Sequence, residues 1–226
     1  MKPRIKIAEA KTPDGGSLAL FEHDGAFAIF LDGKELMHSK VTASEQLLGQ
    51  VGVENLDQQA PGRVLIGGLG LGFTLRSVIE SVGPGTQIEV AELIPEVIRW
   101  NQSHMKDLNG KLLDDPRVTT HCADVANLVT NSNPRTYDAI MLDIDNGPVA
   151  MVADSNANLY SASGLRSLCR ILKPNGRITL WSAGHDQKFE TRLSKAGLRA
   201  ERVPAKVHAG AKRAAYLLYV IDPERA

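Results

Sequence analysis

A glycine-rich turn at the end of an apolar segment is the part of the chain best suited to bind a ligand. The apolar residues 64–66 run directly into four closely spaced glycines, and a helical pattern of apolar residues follows. Roughly twenty residues later, a second apolar stretch ends in Glu92, with Leu93 beside it. Glycines let the backbone approach a nucleoside, and the acid accepts hydrogen bonds from ribose hydroxyls. The pattern predicts an adenosine-type cofactor. The four glycines are Gly67, Gly68, Gly70 and Gly72.

Two further acids follow predicted strands and extend this candidate site. Asp124, with Val125 after it, comes at the end of the third strand, where a carboxylate can accept from an adenine amino group. Asp143 ends the fourth strand, and Asp145 lies two residues further on. Open α/β sheets bind ligands at the carboxyl ends of their strands, so these acids should meet there. Asp124 also fits an ordinary helix N-cap, which stays open as an alternative.

Two nucleotide-binding folds compete for the glycine turn. A dinucleotide-binding fold requires G-x-G-x-x-G, whereas here the third glycine of the set, Gly72, falls one position early. The observed spacing, together with Glu92 and a predicted terminal hairpin, favours an S-adenosylmethionine-type fold. A nicotinamide-dependent dehydrogenase is therefore disfavoured.

The order of predicted elements indicates an α/β protein with a mostly parallel, Rossmann-like sheet closed by an antiparallel hairpin. Strands and helices alternate from residue 61 onwards, which is typical of helices on both faces of a parallel sheet. The last two strands have no helix between them, which predicts the antiparallel closure. The expected strands are Arg63–Gly67, Gln87–Glu92, Arg117–Cys122, Tyr137–Asp143, Gly176–Trp181, Leu198–Val203 and Ala214–Ile221.

A smaller region precedes this α/β part. Two apolar strands, Ser17–Glu22 and Ala26–Leu31, are bounded by Asp-Gly turns and predict a β-hairpin. A helix is expected over 42–56. We therefore divide the chain into an N-terminal hairpin with a linking helix (1–60) and an α/β domain (61–226). The apolar hairpin residues could form a homodimer interface or belong to the core.

Composition narrows the classes of partner. Lys and Arg together number 26, as do Asp and Glu, so no net charge favours nucleic acid or a membrane surface. No apolar run has the length of a membrane span, and the N-terminus lacks a signal-peptide pattern, which predicts a cytoplasmic protein. Cys122 and Cys169 are expected to be buried thiols, and Trp100 and Trp181 to fill the core. The histidines show no metal-ligand spacing, so no metal is expected.

Taken together, these motifs resemble the polyamine aminopropyltransferases, the spermidine synthase-like family within the class I S-adenosylmethionine-dependent methyltransferase fold. The resemblance runs from about Leu18 to Trp181 and includes the glycine turn, Glu92 and Asp124. It implies an enzyme with an S-adenosylmethionine-type donor. The further matching segments are Leu31–Gly33, Asp115–Val118, Tyr137–Asp143, Gly147–Pro148, Leu159–Ser161 and Leu172–Gly176.

The departures from the family pattern fall on residues that handle the amine. The resemblance implies an aspartate in the glycine turn that holds the aminopropyl amine of the decarboxylated donor, but this chain has Gly70. Asn146 stands where the family has a catalytic acid, and an amide cannot accept a proton at neutral pH. The family's Tyr-(His or Gln)-Glu reads Ala43-Ser-Glu45, so the aromatic wall for the polyamine is missing.

These departures favour methyl transfer from S-adenosylmethionine to a small-molecule acceptor. Asp143, with Asp145 as a second candidate, is then the expected catalytic base, although Asp143 could instead hold the donor's amino group. Aminopropyl transfer from the decarboxylated donor to a polyamine is one alternative. A non-catalytic nucleoside-binding module is another.

Overall fold

The computed structural model describes residues 3–144 and 158–223, which begin with an antiparallel sheet of four strands in the order β1-β2-β3-β4. The expected hairpin forms its centre, because Asp24-Gly25 and Asp32-Gly33 adopt the positive φ angles that tight turns require. The expectation of two strands was incomplete, since one strand is added on each side. The strands are β1 (Ile5–Lys11), β2 (Ser17–His23), β3 (Ala26–Leu31) and β4 (Lys34–His38).

A seven-stranded sheet forms the centre of the α/β part in the described residues, with the order β10-β11-β9-β8-β5-β6-β7. Strands β5 to β9 pair in parallel, and β11 pairs antiparallel with both β9 and β10. The predicted fold class is therefore confirmed, including the antiparallel closure. The strands are β5 (Arg63–Gly67), β6 (Gln87–Glu92), β7 (Val118–Cys122), β8 (Tyr137–Leu142), β9 (Leu172–Ser182), β10 (Glu201–Ala205) and β11 (Tyr216–Ile221).

Helices cover both faces of this sheet. Side chains alternate between the faces along each strand, so Ile66 of β5 belongs to one hydrophobic cluster and Leu65 to another. Helices α1, α2 and α3 contribute to the first cluster, and α5, α6 and α7 to the second. The helices are α1 (Ala43–Val53), α2 (Phe73–Ser81), α3 (Pro95–Gln102), α4 (Lys106–Asn109), α5 (Val125–Asn131), α6 (Ala162–Ile171) and α7 (Gln187–Lys195), with a 3₁₀ turn at Leu112–Asp114.

The N-terminal sheet packs onto the α/β part through this first cluster. Leu18, Leu20 and Ile29 are almost fully buried and share the cluster with Leu48 of α1 and Val64 of β5. The hairpin side chains therefore belong to the core of the protein. The division of the chain at residue 61 stays a prediction, because residues on both sides of it form one cluster.

The two cysteines differ in their exposure to solvent. The expectation that both cysteines are buried was wrong for Cys122, whose side chain is exposed because β7 is an edge strand of the sheet. Cys169 is part-buried, and burial raises the pKa of its thiol to about 11.

None of the helices in the described ranges combines the length and apolar character needed to cross a membrane.

The order of the strands in the sheet changes direction at the boundary between the neighbouring strands β5 and β8. One half of the sheet continues from β5 to β6 and β7, and the other continues from β8 to β9. A crevice opens at the carboxyl ends of the strands at such a point. A hydrogen bond of 2.8 Å from the Asp143 N–H to the Gly67 carbonyl ties the two strand ends together there. Residues from several distant segments consequently meet at this edge.

Gly68 allows the closest of these approaches, which leads to a first prediction. A Cβ atom at Gly68 would lie 2.1 Å from the Asp143 carbonyl oxygen, and the residue has a φ of 91°. Gly68→Ala should lower the free energy of unfolding by more than about 3 kcal/mol, because both backbone strain and a collision arise. Urea denaturation followed by circular dichroism measures this loss.

Gly15→Ala provides the matched control for that variant. Gly15 has a similar φ of 86°, but no atom lies within 4 Å of the added Cβ. This substitution should cost only about 1 to 2 kcal/mol of backbone strain. If both variants lost the same free energy of unfolding, the close approach of Gly68 to the Asp143 carbonyl would add nothing to the cost of Gly68→Ala.

Candidate functional site

The glycine turn begins where β5 ends and leads into α2. Gly68, Gly70 and Gly72 have φ angles of 91°, 49° and 84°, a region that favours glycine. Gly67 has a different reason to be small, because a Cβ atom there would lie 3.0 Å from Leu142 and 3.1 Å from Val125. The four predicted glycines thus shape the turn, three by backbone conformation and one by packing.

Glu92 is buried at the end of β6, and its carboxylate holds the glycine turn. Its two oxygens accept hydrogen bonds from the backbone N–H groups of Leu69, at 3.0 Å, and Ile94, at 2.9 Å. Burial raises the pKa of Glu92, and these backbone N–H groups partly offset that rise. Glu92 also lines the cavity described below, so a ligand hydroxyl bound there can reach its carboxylate.

Asn101 supports the same turn and was not found from the sequence. Its Nδ2 donates to the Gly70 carbonyl at 2.9 Å and to the Val97 carbonyl at 2.9 Å. Asn109 donates to Asn101 Oδ1 from behind. A buried asparagine on a helix gives no distinctive sequence signal, because only the folded chain brings it beside the turn.

Asp124 lies at the start of α5 and caps that helix. Its Oδ1 accepts from the Ala126 N–H at 2.8 Å, as the N-cap alternative predicted. The same residue also lines the cavity described next, together with Val125. Capping and ligand binding are therefore compatible roles for this carboxylate.

The first cavity has an empty volume of about 680 Å³ and lies between the glycine turn and the N-terminal sheet. Leu18, Ile29, Leu36 and Met37 of the N-terminal strands form its apolar cover. Most of the predicted cofactor-binding residues meet in this cavity. Those residues are Gly68, Gly70, Glu92, Leu93, Asp124, Val125 and Asp143.

A second cavity, with about 550 Å³ of empty volume, adjoins the first. The two cavities share Leu36, Met37, Gly70 and Asp143, so they form a continuous site. Gly72 lines this second cavity, whereas Gly67 packs beneath the turn. The remaining residues that line it are Glu45, Leu69, Leu71, Phe73 and Trp181.

Two carboxylates face each other here, because Asp143 lies at the junction of the cavities and Glu45 lines the second cavity beside it. The Thr74 hydroxyl donates to Asp143 Oδ2 at 2.6 Å, and the Ser44 hydroxyl donates to Glu45 Oε2 at 2.6 Å. Burial raises the pKa of Asp143 to about 6, although the hydrogen bond from Thr74 opposes the rise. Burial and then the charge of Asp143 raise the pKa of Glu45 to about 7. Two neighbouring carboxylates whose pKa values are raised towards neutrality are suited to bind a cation and to exchange a proton.

Trp181 and Tyr216 form an aromatic wall beside the carboxylates. Their ring centroids are 4.9 Å apart, and Trp181 lines the second cavity. The expectation that Trp181 fills the core was therefore incomplete, whereas Trp100 is buried as expected. Ala43 has no aromatic side chain, but β9 and β11 contribute the rings of Trp181 and Tyr216 instead.

Met37 occupies the space beside Gly70. A Cβ atom at Gly70 would lie 3.0 Å from the Met37 sulfur. An aspartate at this position, as the family resemblance would have it, requires that methionine to move. Met37 therefore occupies space that such an acid would need.

The charge of the site is negative. Among the described residues, neither cavity is lined by Lys, Arg or His. Within residues 3–144 and 158–223, no group of three or more His, Cys, Asp or Glu side chains is placed to hold a metal ion. His185 faces Glu190 at 3.2 Å and lines neither cavity. The predicted Asp145 and the neighbouring Asn146 lie outside the described residues.

Sequence comparison relates the chain to polyamine aminopropyltransferases. It is 28% identical over 119 residues to one from Aeropyrum pernix and 27% identical over 124 residues to one from Prochlorococcus marinus strain AS9601. These matches cover 52% and 55% of this chain but only 36% and 41% of the relatives, so the chain matches less than half of their length. No protein-family model matches the chain.

Structural comparison shows the same relationship at the level of the fold. The spermidine synthase from Thermotoga maritima superposes with a TM-score of 0.71 at 19% identity, covering 96% of this chain and 72% of that one. A spermidine synthase in complex with the transition state analogue AdoDATO gives a TM-score of 0.75 at 20% identity, covering 96% and 73%.

The chain therefore has an α/β fold of the class I S-adenosylmethionine-dependent methyltransferase type. The sequence relatives are polyamine aminopropyltransferases and the structural neighbours are spermidine synthases, which confirms the resemblance noted in the motifs.

The raised pKa values predict how stability depends on pH. Between about pH 4 and pH 7, the folded chain binds more protons at Glu45 and Asp143 than the unfolded chain, so stability falls as pH rises. Glu45→Gln should therefore raise the free energy of unfolding by about 1 to 3 kcal/mol at about pH 8. The gain should shrink towards about pH 5. Denaturant titrations across this range measure it.

Glu80→Gln is a suitable control for that series. Glu80 is an exposed acid on the neighbouring helix α2 and lines neither cavity. Its substitution should leave stability unchanged within about 0.5 kcal/mol at every pH. A Glu45→Gln variant that matched this control would contradict the raised pKa of Glu45.

Proposed function

We propose that this protein is a transferase that moves an aminopropyl group from decarboxylated S-adenosylmethionine to an amine of a polyamine. The observation that carries the proposal is the pair of carboxylates formed by Asp143, which lines both cavities, and Glu45, which lines the second. Anionic groups in a part-buried cavity favour a cationic amine, since Coulomb attraction strengthens as water is excluded. The names of the sequence and structural relatives support the same activity.

The donor nucleoside belongs in the first cavity. Glu92 would accept from the ribose hydroxyls, because it lines this cavity at the end of β6 while its carboxylate holds the turn. Asp124 would accept from the adenine amino group with the oxygen that does not cap α5. The glycine turn brings backbone close to the donor, and Asp143 would lie towards the sulfonium, where the two cavities join.

The charge of the site supports the decarboxylated donor. That donor carries a sulfonium and an ammonium group but no carboxylate, so it matches a site lined by acids. Intact S-adenosylmethionine also carries a carboxylate, and no Lys, Arg or His among the described lining residues would balance it. Like charges brought together in this way disfavour the wrong ligand.

Methyl transfer from intact S-adenosylmethionine is the second candidate. Gly70 favours it, because Met37 fills the space where an acid would contact the amine of the decarboxylated donor. Methyl transfer was the main expectation from the sequence, but the relatives support its aminopropyl alternative better. A binding module without chemistry would bind a donor and transfer nothing.

Calorimetric titration with each donor separates the two reactions. The decarboxylated donor should bind at least about 10-fold more tightly than intact S-adenosylmethionine, which corresponds to about 1.4 kcal/mol. The preference should narrow in Asp143→Asn, because this variant removes a negative charge next to the donor. Tighter binding of the intact donor would favour methyl transfer, and binding of neither would exclude the proposed donor site.

Trp181 should contribute to acceptor binding. A protonated amine held by Glu45 and Asp143 lies beside the aromatic wall, where cation–π attraction is worth about 0.5 to 2 kcal/mol. Trp181→Leu should raise the KM for putrescine by about 3- to 30-fold with the donor Kd unchanged, whereas Trp181→Phe should lose less. Steady-state kinetics test this, and an unchanged KM in Trp181→Leu would place the acceptor elsewhere.

A further inference from the structure

Helix α1 is fixed against α2 so that Glu45 faces the second cavity. Gly49 allows the close approach, because a Cβ atom there would lie 2.7 Å from the Ser77 Cβ. The Ser77 hydroxyl donates to the Gln46 carbonyl at 2.7 Å. The Thr74 hydroxyl lies 3.3 Å from the Glu45 carbonyl oxygen and 2.6 Å from Asp143 Oδ2, so it lies between the two acids. The position of Glu45 is thus set by the same residue that orients Asp143.

The two acids have different surroundings and suit different tasks. Asp143 lines both cavities and accepts from the Thr74 hydroxyl at 2.6 Å, and burial raises its pKa to about 6. Glu45 lines only the second cavity, and its pKa is raised to about 7, by burial first and then by the charge of Asp143. Asp143 therefore lies on the side of the donor cavity, whereas Glu45 faces the side where an acceptor would bind. The arrangement separates charge stabilisation from proton transfer.

We infer that Glu45 is the general base that accepts the proton of the acceptor ammonium, while ionised Asp143 holds the cationic groups at the junction. The inference rests on the proposed aminopropyl transfer and assigns its proton-transfer step to a residue other than the predicted Asp143 and Asp145. It also accounts for the chain having Asn146 where the family resemblance implies a catalytic acid.

The step balances in protons and electrons. The acceptor ammonium gives one proton to the Glu45 carboxylate and becomes a neutral amine. The nitrogen lone pair then forms a bond to the propyl carbon next to sulfur. The carbon–sulfur bond breaks, and its electron pair goes to the sulfonium, which becomes a neutral thioether. The product amine is a secondary ammonium, and Glu45 returns its proton to solvent.

Two titratable groups face Glu45 in the part of the chain that the structure describes. Asp143 faces it from the end of β8, and the Tyr216 phenol faces it from β11. Burial and then the charge of Glu45 raise the pKa of Tyr216, which keeps this phenol neutral at neutral pH. On its own helix, Glu45 contacts the uncharged Ser44 hydroxyl. The titration of Glu45 is therefore governed by burial and by Asp143.

The test is the pH dependence of kcat/KM for transfer from the decarboxylated donor to putrescine. In the wild-type protein, the rate should rise through a step near pH 7 and then level off. Glu45→Gln should lose about 100-fold or more at neutral pH. Its rate should recover as the pH approaches about 10, because amines lose their protons in solution there. Glu45→Asp should restore part of the neutral rate.

Two measurements keep the outcomes distinct. Calorimetry should give the Glu45→Gln variant the same donor Kd as the wild type within about 2-fold, which shows that the site is folded, and Glu80→Gln should retain the wild-type profile. Glu45→Gln with a wild-type rate and profile would overturn the inference alone. A loss of kcat/KM in Glu45→Gln that is the same at every pH would also overturn the inference, because it would indicate that Glu45 has a binding or structural role. A wild-type protein that binds donor but transfers nothing would overturn the proposed function, and the inference with it.

Discussion

The site depends on the contact between the glycine turn and the end of β8. Gly68 lies so close to the Asp143 carbonyl that no other side chain fits, and the Asp143 N–H donates to the Gly67 carbonyl. This contact sets the distance between the two halves of the parallel sheet at the point where the topology reverses. It fixes the backbone that carries Asp143, and Glu92 fixes the other side of the same turn. The geometry of both cavities follows from these few backbone contacts.

The acid pair is maintained against a cost in stability. Both carboxylates are part-buried, and above neutral pH their mutual repulsion and lost hydration oppose folding. Two hydroxyl groups, from Thr74 and Ser44, partly offset this cost, and the large hydrophobic clusters on both faces of the sheet offset the rest. Destabilising groups retained at a cavity are typical of functional sites. A cationic ligand would remove most of the repulsion.

Local pattern predicted the parts of the site that follow strand ends. The glycine spacing, Glu92, Asp124 and Asp143 were all readable because each sits at a fixed offset from a strand of the parallel sheet. Glu45 was noted only as the last residue of the Ala43-Ser-Glu45 motif, and Trp181 only as a core residue. Their places in the site depend on how α1 packs on α2 and how the last strands close the sheet. Their partners are distant in sequence, and no local period encodes such contacts. The first and fourth N-terminal strands were missed for a local reason. The alternation of β1 changes phase at Ile7-Ala8, next to a register shift in its pairing, and β4 shows no regular alternation.

The central claim is that the acid pair serves transfer of an aminopropyl group to an amine. The most direct measurement is mass spectrometry of the acceptor after incubation of the protein with putrescine and equal amounts of both donors. The account predicts a product heavier than putrescine by one aminopropyl group, formed at the expense of the decarboxylated donor only. A product heavier by one methyl group would contradict the claim and assign the site to methyl transfer.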